Sequence, residues 1–313
     1  MNRRTFLKRL GLLGAGIAVS GTAFETPLRA RAQEQEAEAP LVSVAEGTDY
    51  QTLVSTVLEP LGGITAFVKP GQRVVVKPNI GWDRTPEQAA NTHPDVVKAL
   101  VQLALAADAA QVLVFDRPCN EPRRCYANSG IQAAVESLGD GRASCVFMDD
   151  RKFVPVNIER GSSLQQFTFY KDALEADCYI NTPIAKHHGS AGLTLALKNA
   201  MGVIGGNRGE IHVALGRRIA DLALVIRPHL NVLDATRVLL RNGPTGGNVN
   251  DVQVLNTLVA STDPVAIDAY ATEHFFGLQP QDIQSTQAAY ELGLGEIDLH
   301  KIEVVYATMA ERV

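Results

Sequence analysis

The sequence predicts an α/β fold: a mostly parallel sheet flanked by helices, with an appended antiparallel hairpin. Three observations predict it. Short β-branched runs alternate with Ala/Leu-rich stretches of helical period, the pattern of strand–crossover–strand units. Several buried runs stop abruptly at a charged or amide residue. One segment, residues 151–171, instead alternates on both sides of Gly161-Ser162-Ser163, which marks a hairpin.

Ahead of the first strand, residues 1–32 read as an export signal. Arg3-Arg4-Thr5-Phe6-Leu7-Lys8 resembles the twin-arginine leader, an apolar Gly/Ala-rich run follows, and Ala30-Arg31-Ala32 has the small-x-small form of a cleavage site. The run is weakly apolar for a membrane span, which needs roughly 20 strongly apolar residues. Residues 33–40, "QEQEAEAP", form a polar acidic linker. The expectation is export by the twin-arginine machinery to the periplasm or cell exterior, followed by one α/β domain over residues 41–313.

Within that domain, strands are predicted at residues 41–47, 73–79, 111–116, 144–150, 178–183, 231–234, 255–261 and 301–307. A helix over residues 93–110 has Pro94 in its first turn and Asp95 complementing its dipole. Another, from residue 216, is stopped by Pro228, and a third runs from Pro264 to Gly277 with Asp263 suited to its N-cap. In "AKHHGSAGLTLALKNAMGVIGG", residues 185–206, a loop carries Lys186-His187-His188. A helix over 193–201 would then put Thr194 and Lys198 on one face, beside Asn199.

The polar strand ends carry the functional reading. Lys77-Pro78-Asn79, Asp116, the Lys186 loop, Asp234 and Asp263 each follow a buried run, and parallel neighbours would bring such ends to the rim where open α/β sheets bind ligands. An aspartate after a strand often merely caps a turn or helix, so the argument rests on the coincidence of many polar ends. Lys77, Lys198 and Arg208, with Asn79, Thr194, Asn199 and helix N-terminal amides, favour a small anionic substrate bearing carboxylate or phosphate. The glycines around Arg208 match neither a Walker loop nor G-x-G-x-x-G.

His188 has three readings. With Lys186 and His212 it could move protons. With Asp116, Asp234 and Asp263 it could hold a divalent metal in a mixed N/O site suiting zinc, iron or manganese. It could also simply bond the backbone. "RNGPTGGN", residues 241–248, reads as a lid or a plain surface loop.

The formal net charge is −5, and the first 32 residues hold six Lys/Arg and one Glu, leaving 23 basic against 33 acidic residues. So acidic a body argues against wholesale nucleic-acid binding. The four cysteines have no C-x-x-C spacing and no iron–sulfur pattern. A Cys119–Cys125 disulfide is allowed in an oxidising compartment, but spacing alone does not fix its geometry.

The ordered series Lys77-Pro78-Asn79, Lys186-x-His188, Thr194-x-x-x-Lys198-Asn199-x-x-Gly202, His212 and Asp234 continues through Gly243-Pro244-x-Gly246 to Ser261-x-Asp263-Pro264-Val265-Ala266-x-Asp268. From about residue 74 to 268 it resembles the domain-of-unknown-function family 362. The resemblance implies a shared α/β domain and no settled reaction. Some members of that family carry ferredoxin-like iron–sulfur modules, which implies redox surroundings; lacking those cysteines, this chain would draw on a partner protein. Three functions stay open: an exported enzyme for a small anionic substrate, with or without a metal; a redox accessory protein binding a cofactor or an iron–sulfur partner; and a non-catalytic anion-binding protein.

Overall fold

A computed structural model describes residues 39–308, so the predicted export signal and all but the last two linker residues lie outside the described part. The chain enters through β1 (Leu41–Glu46) and α1 (Tyr50–Leu58), whose N-cap Asp49 accepts a bond from the Thr52 amide. Next come β2 (Arg73–Pro78) and α2 (Pro94–Ala106). Pro94 and Asp95 open α2 in the predicted manner, after an N-cap, His93, whose Nδ1 accepts from the Asp95 amide. β3 (Gln111–Val114), α3 (Pro122–Asn128), α4 (Ile131–Glu136) and β4 (Ala143–Cys145) follow. The expected strand over 144–150 stops at Cys145 because its only neighbour, β3, ends opposite it at Val114.

The predicted hairpin is present as β5 (Phe153–Asn157) and β6 (Gln166–Tyr170), antiparallel and forming a two-stranded sheet of its own. The second half holds β7 (Cys178–Thr182), β8 (Ile184–His188), β9 (Gly192–Thr194), α5 (Ala196–Asn199) and α6 (Leu215–Ala223). It closes with β10 (Leu230–Leu239), β11 (Val252–Ser261), α7 (Pro264–Phe276), α8 (Gln284–Glu291) and β12 (Glu303–Ala307). Asp263 caps α7 through the amides of Val265 and Ala266, and Gly277 ends it at φ 63°.

The main sheet runs β12-β1-β11-β10-β7-β2-β3-β4, with β8 and β9 attached beside β10. Its pairs are mostly parallel; β11 is antiparallel to both β1 and β10, and β9 is antiparallel to β8. Side chains alternate between two cores. Val74, Val76, Val232 and Leu258 pack towards α1 and α2. Val75, Leu233, Ala235 and Val259 join the core that holds α6 and α7. No helix among the described residues is long and apolar enough to cross a membrane.

Two expectations about the donor-rich segment are corrected. Lys186-His187-His188 is strand β8 rather than a loop, and the predicted helix over 193–201 starts only at Ala196, as the single turn α5 continued by a 3-10 turn over Ala200–Val203, with β9 in place of its first residues. Strand pairing of Lys186 with Thr194 overrides the local apolar periodicity. The first α5 amides are no anion site, because the buried Asp268 carboxylate accepts from Ala196 N at 2.7 Å and Leu197 N at 3.1 Å.

Candidate functional site

The register places Lys77, Asn181, Asn231 and Ser261 in one row across β2, β7, β10 and β11. Lys77, two residues after Val75, projects on the α5 side of the sheet. There its Nζ lies 2.9 Å from Asp116 Oδ1 and donates to Asn199 Oδ1 and to the Pro78 carbonyl, each at 2.8 Å. Asn199 donates in turn to Asn181 Oδ1, and Asn181 to Asn231 Oδ1. Gly202 completes this wall: a Cβ there would overlap the Lys77 ammonium and the Asp116 carboxylate. Burial lowers the Lys77 pKa, and Asp116 opposes that shift.

Beyond the row opens a cleft of about 360 Å³, lined by Lys77, Asn79, Asp116, Lys186, His188, Thr194, Lys198, Asn199, Arg208 and His212. Ten of the twelve residues predicted from the strand ends and the donor-rich segment therefore meet here. Among its described lining residues Asp116 is the only carboxylate, and Lys77 occupies it. Lys186 Nζ donates to Asn79 Oδ1 at 3.1 Å and to the Ala90 carbonyl at 2.5 Å. Its pKa is pushed down to about 7, first by burial and then by Lys198. The nearest polar contact of the half-buried Lys198 Nζ is the Met201 thioether, at 3.3 Å, and burial brings this lysine down to about 8. Thr194 is 3 % exposed and its hydroxyl has no hydrogen-bond partner among the described residues.

His188 Nδ1 accepts from the Ser190 and Ala191 amides, each at 3.2 Å, which leaves the ring proton on Nε2. Burial, then Lys198 and Lys186, hold its pKa down at about 3, so the imidazole is neutral at neutral pH. His187 points to the other side of β8, where its Nδ1 accepts from Gly243 N. The loop at 241–248 is accordingly tied down: Arg84 and Gln88 also hold its carbonyls, and Pro244 forms part of the cleft wall.

The proposed metal set does not assemble. Among the described residues no group of three or more His, Cys, Asp or Glu is placed to hold a metal ion. Asp234, three residues beyond Asn231, projects from the opposite face, where its carboxylate accepts from His93 N and from the Thr236 amide and hydroxyl. Asp263 is carried below the Lys77 row because β11 runs antiparallel; Val265, Ala266 and Glu296 amides saturate it. His188 and Asp116 alone remain in the cleft. The Cys119–Cys125 bridge is likewise not formed: Cys119 is exposed at the cleft, whereas Cys125 is a buried free thiol on α3, its pKa raised to about 11 by burial.

Sequence reasoning missed Trp82, Arg117, Cys119 and Met201 in the lining. Arg117 had a legible signal, since it directly follows the strand-end Asp116. Its guanidinium donates to the Ile204 carbonyl and its own carbonyl receives Arg208, which also donates to Pro118 O. A second cavity of about 240 Å³ lies behind α5, between Tyr179, Leu197, Ile226 and Leu294. Its lining has one charged side chain, Arg227, whereas the lysine cleft gathers most of the titratable groups named above.

The family model described as domain of unknown function (DUF362) matches residues 74–273, which takes in every cleft residue. The chain belongs to this family. Among DUF362-like relatives, it is similar to the thylakoid-associated protein sll1697 of Synechocystis sp., at 30% identity over 254 residues, covering 76% of this chain and 74% of that protein. Among solved structures, the lactate racemase apoprotein from Thermoanaerobacterium thermosaccharolyticum gives a TM-score of 0.41 at 13% identity, over 71% of this chain and 54% of that one. A structural-genomics protein from Thermotoga maritima gives 0.40 at 12% identity, over 79% and 60%. The DUF362 chain thus spans a little over half the length of these two solved structures.

Proposed function

We propose that this DUF362 protein is an exported enzyme acting on a small anionic substrate held in the lysine cleft. The observation that carries the reading is an imbalance of charge: Lys186, Lys198, Arg117 and Arg208 share the cleft with one carboxylate, which Lys77 already neutralises. A cationic pocket whose Thr194 hydroxyl is unpaired among the described residues lacks an acceptor-rich partner, and a carboxylate or phosphate supplies one. Lys186, brought down to about 7, suits general acid–base catalysis near neutral pH. His188, neutral and tied through Nδ1, acts as an Nε2–H donor to the substrate. His212 stands exposed at the mouth. The Arg3-Arg4 leader supports export in the folded state.

A divalent ion fits the cleft poorly, since His188 is surrounded by cations and Asp116 is committed to Lys77. The test is a titration of inorganic phosphate and oxamate, followed by melting temperature and by fluorescence of Trp82, the chain's single tryptophan. Saturable stabilisation that Lys198→Ala removes supports the reading. Indifference to both anions, or equal binding by the variant, overturns it. Tight binding without turnover of any carboxylate would favour a capture protein instead, and a bound coloured cofactor in the native exported form would favour the redox role.

A further inference from the structure

Two of the three cleft lysines have a clear occupation. Lys77 is neutralised by Asp116 and holds the asparagine row, while Lys186 donates to two oxygen acceptors. Lys198 differs. Among the described residues its amine meets no carboxylate, carbonyl or hydroxyl at hydrogen-bond distance, and its one polar contact is a thioether. An ammonium with no oxygen partner holds its proton less tightly than an ordinary lysine's, so a reactive free amine is reached closer to neutral pH. A free amine at the wall of a pocket built for anions is a nucleophile, and the unpartnered Thr194 hydroxyl, 3 % exposed, faces the same space. Catalytic lysines of this kind attack carbonyl carbon.

We propose that Lys198 forms an imine with the keto group of a 2-oxo carboxylate. This inference rests on the anion-binding reading and names its substrate class. Arg208 and Lys186 bind the carboxylate, and the Thr194 hydroxyl donates to the carbonyl oxygen. The Lys198 lone pair forms the new C–N bond as the C=O π pair moves onto oxygen. The amine loses its proton to that oxygen, giving a neutral carbinolamine. The Lys186 ammonium then gives a second proton to the departing hydroxyl, the C–O bond breaks, and water leaves a protonated imine. Lys186 regains its proton from solvent, so the step needs no oxidant or reductant. The imine draws electrons from the substrate's α-carbon, which prepares a bond to that carbon for proton exchange or cleavage.

The full chain incubated with pyruvate and reduced with borohydride should gain one reduced pyruvate, located by peptide mapping at Lys198 and suppressed by oxamate, which resembles pyruvate but carries an unreactive amide. Lys198→Arg keeps the charge; it should lose the adduct while oxamate still raises the melting temperature. Oxamate binding with no adduct, an adduct on Lys186, or labelling scattered over surface lysines overturns the imine and leaves the anion cleft standing. Failure of oxamate and phosphate to bind at all removes both.

Discussion

The two walls of the cleft use the same residue type in opposite ways. Lys77 and Lys186 are both almost fully buried, yet the first sits against a carboxylate while the second faces only neutral oxygens and other cations. On the Lys77 wall the ammonium, the Asp116 carboxylate and the Asn199 and Asn181 amides find their partners within the protein, and a glycine leaves room for the ion pair. On the Lys186–Lys198 wall the donors exceed the acceptors. The contrast teaches how to read a buried lysine: its neighbours, rather than its depth, decide whether it is a strut or a binding group.

That contrast can be broken most forcefully on the strut side. Asp116→Ala strands the Lys77 ammonium without its counter-charge and should cost about 3–5 kcal/mol in urea denaturation, before any ligand is considered. Gly202→Ala presses a methyl group into the same ion pair and should destabilise by about 1–3 kcal/mol. Lys198→Ala should behave in reverse, leaving stability within about 1 kcal/mol of the parent. Its phosphate affinity should fall about tenfold or more, since a lost charged hydrogen bond weighs about 1.5–3 kcal/mol. If Lys198→Ala unfolds the protein and Asp116→Ala does not, the assignment of the two walls is inverted.

A finer test uses pH. Lys186 is held at about 7 and Lys198 at about 8, against roughly 10.4 in an unfolded chain. Between these limits the unfolded chain binds more protons than the folded one, so stability without ligand should rise with pH across the window. Anion affinity should move the other way, strongest below pH 7 and weakening as the two ammonium groups discharge through 7 and 8. A flat affinity profile from pH 6 to 9 would detach the lysines from the ligand. The smallest expected effect is that of His300→Ala: His300 is an exposed residue that does not line the cleft, and its removal should change stability by less than about 0.5 kcal/mol.

Much of this molecule was legible in the sequence, for physical reasons that differ by element. Pro94, Asp95, Asp263 and Gly277 marked helix ends because their chemistry acts locally. The strands at 41–47, 73–79 and 178–183 were readable because β-branched runs have few other uses. The direction of β11 was not readable, since an apolar run looks alike in either orientation, and that is why Asp263 was expected at the cleft. Asp234 failed by parity: three residues past Asn231 on a continuous strand, it must face the other side. The turn at Thr194–Asn199 escaped because its shape is set by distant partners, Lys186 through strand pairing and Asp268 through two amide bonds.

The row shared by Lys77, Asn181, Asn231 and Ser261 carries a further consequence. Pocket depth in this fold is governed by strand alignment as much as by side-chain identity. Sliding β10 two positions against β7 would keep every side chain on its face, yet it would break the amide chain that ends at the lysine. Homologous proteins with identical cleft residues can therefore differ in capacity through an insertion far from any of them, in the connection that sets where β10 begins.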